Sequence, residues 1–262
     1  MNDEQAAKPK AAGSFGRTLL IVLALLLLLL VPFLPWLIRG LNQRAAEAAV
    51  KAAGGRASYG KRLHADATYV TDEKRRGKKG MVADVFGEAF VEQLTQVEIK
   101  KPLQRPYVLG RLSKLRELEI LDLSGAGVSD DDFKLIARCE TLKKLWVGQD
   151  GGKVTAAGIA ELSGLPNLAS LGLDNLALSD EAMDSIAGHT TLKRLYMDGT
   201  QVTDDGVSKL TGLQGLMGIG LQGTSITDAA IDALLAMKEL EEVRIGNTGV
   251  TNAGVSLSLI HI

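Results

Sequence analysis

The chain has 262 residues, with 30 Lys/Arg against 31 Asp/Glu, one cysteine and only 4% aromatic residues. A single cysteine, Cys139, excludes an internal disulfide, and the near-neutral balance argues against nucleic-acid binding by the chain as a whole. The two signs are nevertheless segregated: residues 39–80 hold 11 Lys/Arg against 4 Asp/Glu, while 112–256 hold 12 against 21. A basic N-terminal part and a mildly acidic body follow.

Residues 1–17 form a polar tail carrying Lys8, Lys10 and Arg17. The run Thr18–Ile38, TLLIVLALLLLLLVPFLPWLI, is uncharged and apolar on every face. At about 1.5 Å per residue it reaches roughly 30 Å, the thickness of a bilayer's hydrocarbon core, so it reads as a transmembrane helix. Trp36 stands where an interfacial aromatic belongs. A cleavable signal peptide, with AAEAA at 45–49 as the cleavage site, is the competing reading; its apolar stretch is ordinarily only ~7–15 residues. The expectation is a single-pass membrane protein, and the flanking Lys/Arg do not fix the side on which the remainder lies.

Residues 39–111 read as a juxtamembrane helix and an N-terminal cap. Gly40–Ala53 is rich in strong helix formers and is stopped by Gly54-Gly55. A strand is expected near Arg56–Tyr59, a helix over 81–94 and a strand at 97–99. Between them runs KRRGKK, whose Lys74, Arg75, Arg76, Lys78 and Lys79 are candidates for contact with anionic lipid, each adding ~1 kcal/mol near a charged membrane. Equally, the run is a solvated loop.

From residue 112 to 256 the chain repeats. Leu118, Leu142, Leu168, Leu192, Leu216 and Leu240 stand 24, 26, 24, 24 and 24 apart. Three residues on come Leu121, Leu145, Leu171, Leu195, Ile219 and Val243, and two further on Leu123, Val147, Leu173, Met197, Leu221 and Ile245. After a turn follow Val128, Val154, Leu178, Val202, Ile226 and Val250, then Phe133, Ile159, Met183, Val207, Ile231 and Val255. L-x-x-L-x-L at that period is a leucine-rich repeat, present about six times. The L-x-L part is a short strand with its leucines inward. Gly125, Gly199 and Gly223 permit a sharp turn after it. Ser129, Thr155, Ser179, Thr203, Thr227 and Thr251 fall at helix starts, where a hydroxyl caps orphan N–H groups at about 1 kcal/mol. Asp130, Asp180, Asp204 and Asp228 follow them and complement the helix dipole. A Thr-Asp pair that recurs in successive units is stacking punctuation rather than a catalytic pair.

The pattern L-x-x-L-x-L-x-G-T-x-V-T-D-x-G-V, clearest at Leu192–Val207, resembles the leucine-rich repeats of planctomycete bacterial proteins and the ribonuclease-inhibitor-like class. SFGRTLLIVLALLLLL, AVKAAGGRASYG and VFGEAFVEQLTQVEI are similar to the N-terminal elements of the planctomycete proteins. Residues 61–80 depart from that pattern. The resemblance implies a membrane-anchored solenoid and supplies no catalytic residues. The expected fold class is therefore α/β: a leucine-rich-repeat solenoid of parallel strands with short helices on the convex side, after a single N-terminal transmembrane helix.

Catalytic signatures fail on their residues. GRASYGKR (55–62) approximates a phosphate-binding loop, but Arg62 replaces the magnesium-binding hydroxyl. GIGLQG (218–223) matches G-x-G-x-x-G only by placing core residues Ile219 and Leu221 inside it. His64, His189 and His261 have no ligand spacing, and Cys139 ends a repeat helix where a small buried residue fits. No enzyme, metal, cofactor, nucleic acid or small-molecule substrate is expected. The tail 257–262, LSLIHI, leaves the repeat register and matches what a sequencing-library transposon end encodes; it reads as non-native.

The remaining candidates lie on the concave strand face. Trp146, Tyr196 and Arg244 occupy outward positions between the leucine columns, flanked by Lys144 and Arg194 on one side and by Asp174 and Asp198 on the other. Arg and aromatic residues together are the usual anchors of binding hot spots. The expected function is an interaction module for an unidentified protein partner, the alternative a membrane-surface or envelope scaffold using the basic loop.

Overall fold

In the computed structural model the described residues are 34–59, 94–100, 107–148, 153–252 and 254. They form one eight-stranded sheet whose strands lie in chain order. The strands are β1 (Arg56–Tyr59), β2 (Leu94–Glu98), β3 (Ile120–Ser124), β4 (Lys144–Gly148), β5 (Ser170–Gly172), β6 (Arg194–Tyr196), β7 (Gly218–Gly220) and β8 (Glu242–Arg244). β1 pairs antiparallel with β2, and every later pair is parallel. Helices α1 (Leu34–Ala52) and α2 (Tyr107–Leu112) precede β3. Then α3 (Asp130–Ile136), α4 (Ala156–Glu161), α5 (Met183–Ala187), α6 (Asp204–Lys209) and α7 (Ile231–Ala236) alternate with the strands.

The aliphatic columns explain this order. No single unit of two dozen residues can hide its leucines, but units stacked in register can. The register does that: Leu121 pairs with Leu145, Leu145 with Leu171, Leu171 with Leu195, Leu195 with Ile219 and Ile219 with Val243. Leu121, Leu145, Leu171, Leu195 and Ile219 are fully buried, as are Phe133, Ile159, Met183 and Val207 on the helix side. Each such side chain contributes roughly 1.5–3 kcal/mol. Val243, in the last strand, is 40% exposed. The ladder also starts earlier than the six columns. Leu94, Val97 and Ile99 stand 24 residues before Leu118, Leu121 and Leu123, are buried, and Val97 pairs with Leu121.

The turns after β3 and β5–β8 each hold a left-handed residue. Gly125, Gly199 and Gly223 supply it with φ of 82°, 69° and 66°, and Asn175 and Asn247 adopt it at 58° and 56°. Asn is among the few side-chain-bearing residues that enter this region at low cost.

The helix starts carry a second role beside the expected one. Each aspartate serves the next unit as well as facing its own helix. Asp204 accepts from Thr227 N–H and from Thr227 Oγ1, both at 2.7 Å. Asp130 does the same for Thr155, Asp180 for Thr203 and Asp228 for Thr251. Thr155 and Thr227 also accept from Ala157 N–H and Ala229 N–H in the capping sense, whereas Thr203 makes no side-chain cap bond. The Thr-Asp pair thus ties repeats together. Ala156 takes the place of the aspartate before Ser179, and there the tie is absent from the ladder.

The expected transmembrane helix over Thr18–Ile38 is overturned, and the single-pass membrane location with it. Among the described residues no helix is long and apolar enough to cross a membrane. Residues 34–38 of that run fall in α1, which also carries Arg39, Arg44, Glu47 and Lys51. Its buried stripe, Gly40, Gln43, Ala46, Ala49 and Val50, lies against α2 and the first strands instead of lipid. Gly54, at φ 71°, ends α1 in a Schellman turn: Gly55 N–H donates to Val50 O and Gly54 N–H to Lys51 O, both at 2.9 Å. Residues 18–33, the loop with Lys74, Arg75, Arg76, Lys78 and Lys79 and the tail 257–262 lie outside the described residues, as does the helix expected over 81–94 except for Leu94, which opens β2.

Candidate interaction face

Strand pairing brings the outward residues into rows. One row runs Asp122, Trp146, Gly172, Tyr196, Gly220 and Arg244. Beside it, two residues back along each strand, run Lys144, Ser170, Arg194, Gly218 and Glu242. Large and small positions alternate strand by strand, so the true period of this face is two repeats.

The small positions are seats. A Cβ added at Gly172 would collide with Trp146 Cδ1, and one at Gly220 would fall 3.0 Å from Tyr196 Cδ1. Each ring therefore lies across the bare backbone of the following strand. Trp146 and Tyr196 are half-buried in this way. Arg194 leans likewise, its Cγ 3.5 Å from where a Gly218 Cβ would stand. Arg244 closes the row from the far side, its guanidinium carbon 5.0 Å from the Tyr196 ring centroid, a cation–π contact. Glu242 Oε1 fixes that guanidinium by accepting from Nε at 2.8 Å and pairing with Nη2 at 2.7 Å, which raises the Arg244 pKa. Burial pushes the Tyr196 phenol up, and the Glu242 carboxylate adds to it.

Asp174 and Asp198 are differently employed. Asp174 Oδ1 accepts from Asp198 N–H at 3.0 Å, and Asp198 Oδ1 from Gln222 N–H at 2.8 Å. Burial raises the Asp174 pKa, opposed by the bond from Asp198. These carboxylates stitch consecutive turns along one edge of the face. The structure thus brings Trp146, Tyr196, Arg194, Arg244 and Lys144 into two adjacent rows, and gives Asp174 and Asp198 an evident packing task. Gly172 and Gly220 are outward positions in the sequence, but their role as seats is not read from it, although Gly218-x-Gly220 in one unit against Arg194-x-Tyr196 in the unit before it carries the signal.

Elsewhere, Ile219 and Leu221 are fully buried within GIGLQG, as a repeat core requires. Cys139 is buried and its thiol is pushed up to about 12, far from a reactive thiolate. His189 is buried in the same column. Among the described residues no group of His, Cys, Asp or Glu is arranged to hold a metal ion.

No protein-family model matches the chain, and no curated protein does. Solved structures do. The chain is similar to internalin C2 of Listeria monocytogenes at 23% identity and a TM-score of 0.51, covering 66% of this chain and 71% of that one. It is also similar, at 16% identity and a TM-score of 0.42, to the leucine-rich-repeat ectodomain of the Arabidopsis thaliana receptor kinase GASSHO1/SCHENGEN3, solved in complex with CASPARIAN STRIP INTEGRITY FACTOR 2. That match covers 62% of this chain and 20% of the plant ectodomain. With the register above, the likeness to internalin C2 gives the fold: a leucine-rich-repeat solenoid.

Proposed function

We propose that the chain is a protein-interaction module that takes its partner on the concave strand face, around Trp146 and Tyr196. The carrying observation is the pair of half-buried rings laid on glycine seats and flanked by Arg194 and Arg244. An aromatic ring held this way offers contact area with little rotamer entropy left to lose, which is what a binding anchor needs. In this reading residues 39–111 cap the stack, the repeats over 112–256 present the face, and the planctomycete-type motif at Leu192–Val207 describes its ancestry. Asp174 and Asp198 contribute by setting the edge rather than by contact. No catalytic role is part of the proposal.

The test is affinity capture by the full chain beside its Trp146→Ala/Tyr196→Ala variant. Partners held by the native chain are lost by the variant if the face is the site. Identical partner sets remove the proposal.

A further inference from the structure

The geometry points to an acidic, proline-rich segment as the occupant, held as a polyproline II helix and running across the strands along the solenoid. This rests on the interaction-face reading and adds the chemistry of the partner. Trp146 and Tyr196 stand two strands apart with Gly172 between them. Neighbouring strands are spaced about 4.7–4.9 Å, so the two anchors recur about 9.4–9.8 Å apart. Both rings lean toward the glycine of the following strand, which preserves that spacing at the surface. A polyproline II helix has three residues per turn and rises about 3.1 Å per residue, so one of its ridges recurs every ~9.3 Å. The two periods agree. A β-strand laid the same way repeats its face every ~6.4–6.8 Å and misses the second ring. Gly172 adds no side chain of its own between the rings, and surfaces lined by spaced aromatics are how preformed proline helices are held.

Charge selects the flanking residues. Lys144 and Arg194 stand beside the two rings, in register with one another through Ser170, and Arg194 is exposed. On the opposite edge the carboxylates of Asp174 and Asp198 already accept backbone N–H groups. A ligand whose prolines face the rings therefore meets cations on one side, where its own carboxylates fit. A repeating Pro-Pro-Glu sequence places proline on one ridge and glutamate on the next.

Fluorescence anisotropy of labelled repeating Pro-Pro-Glu against the full chain tests this, with repeating Gly-Gly-Glu and Pro-Pro-Lys as comparators. Saturable binding of Pro-Pro-Glu is expected, with both comparators weaker by about tenfold or more. Trp146→Ala and Tyr196→Ala should each weaken it by about tenfold, as loss of an aromatic anchor does. Arg194→Glu should weaken Pro-Pro-Glu and strengthen Pro-Pro-Lys, a reversal that misfolding cannot produce. Equal binding of the three peptides, or of Pro-Pro-Glu by native chain and ring variants, overturns the inference. If no peptide binds while captured partners still depend on Trp146 and Tyr196, the ligand chemistry is wrong and the face reading stands; if the partners are indifferent too, both fall.

Discussion

At the helix starts, Asp130, Asp180, Asp204 and Asp228 repeat one act, each accepting two bonds from the following unit's threonine. On the strand face, the row from Asp122 to Arg244 repeats nothing from one unit to the next and alternates large with small. The two regions are made by the same units, so the contrast is informative. What recurs in each unit serves stacking, because every interface between units poses the same problem. What varies is released from that problem and free to serve a partner.

The division can be broken most severely in the shared core. Phe133 is fully buried on the helix side, and Phe133→Ala should cost about 3–5 kcal/mol in urea unfolding. Removing one tie of the recurring ladder comes next. Asp204→Ala deletes both bonds to Thr227 and, the site being solvated, should cost about 1 kcal/mol. Sharpening runs the other way. Ala156→Asp supplies the carboxylate missing before Ser179, and should gain about 0.5–1 kcal/mol if the ladder is what holds neighbouring units. Ala230, three residues beyond Thr227, shows that an alanine accommodates such a tie, and Ala182 stands at the same place beyond Ser179.

At neutral pH the smallest effect belongs to His189, which burial depresses below its ordinary value of 6.5. The unfolded chain then binds the proton more readily, so stability is complete above that value and falls as acidification passes below it toward the depressed folded pKa. His189→Leu should flatten stability across that acid range while leaving it nearly unchanged near pH 7. A pH titration of the unfolding midpoint reads both. Asp228 behaves oppositely in range: bonds from Thr251 hold its carboxyl below the usual value, and that contribution disappears only under stronger acid.

The fold was legible because burial acts at a fixed interval: Leu118 to Leu240 declare their period without any partner being known. Leu94, Val97 and Ile99 obey the same interval but sit in a stretch without the Gly and Thr-Asp marks, which hid them. Asp204 stands in the first turn of α6 as its position implies, but its acceptor role crosses to the next unit, 23 residues on, beyond the three residues that capping rules look ahead. The Thr18–Ile38 reading rests on apolar length, an all-round apolar surface and Trp36 at an interface; residues 34–38 instead open α1, whose Ala46 and Ala49 are buried against the stack. On the face, Trp146 and Tyr196 were visible as exposed aromatics, yet the roles of Gly172 and Gly220 depend on strand register, which no single strand encodes.

Leu195 and Tyr196 are consecutive residues of β6, one fully buried and the other half-exposed on the face. Equilibrium unfolding of Leu195→Ala beside Tyr196→Ala is the most direct test of the division. A loss of about 2–5 kcal/mol for the first is expected, and of no more than about 1 kcal/mol for the second, the worth of an exposed cation–π contact. Equal losses would show the ring to be part of the packing, and the division between stacking and recognition would fail at Tyr196.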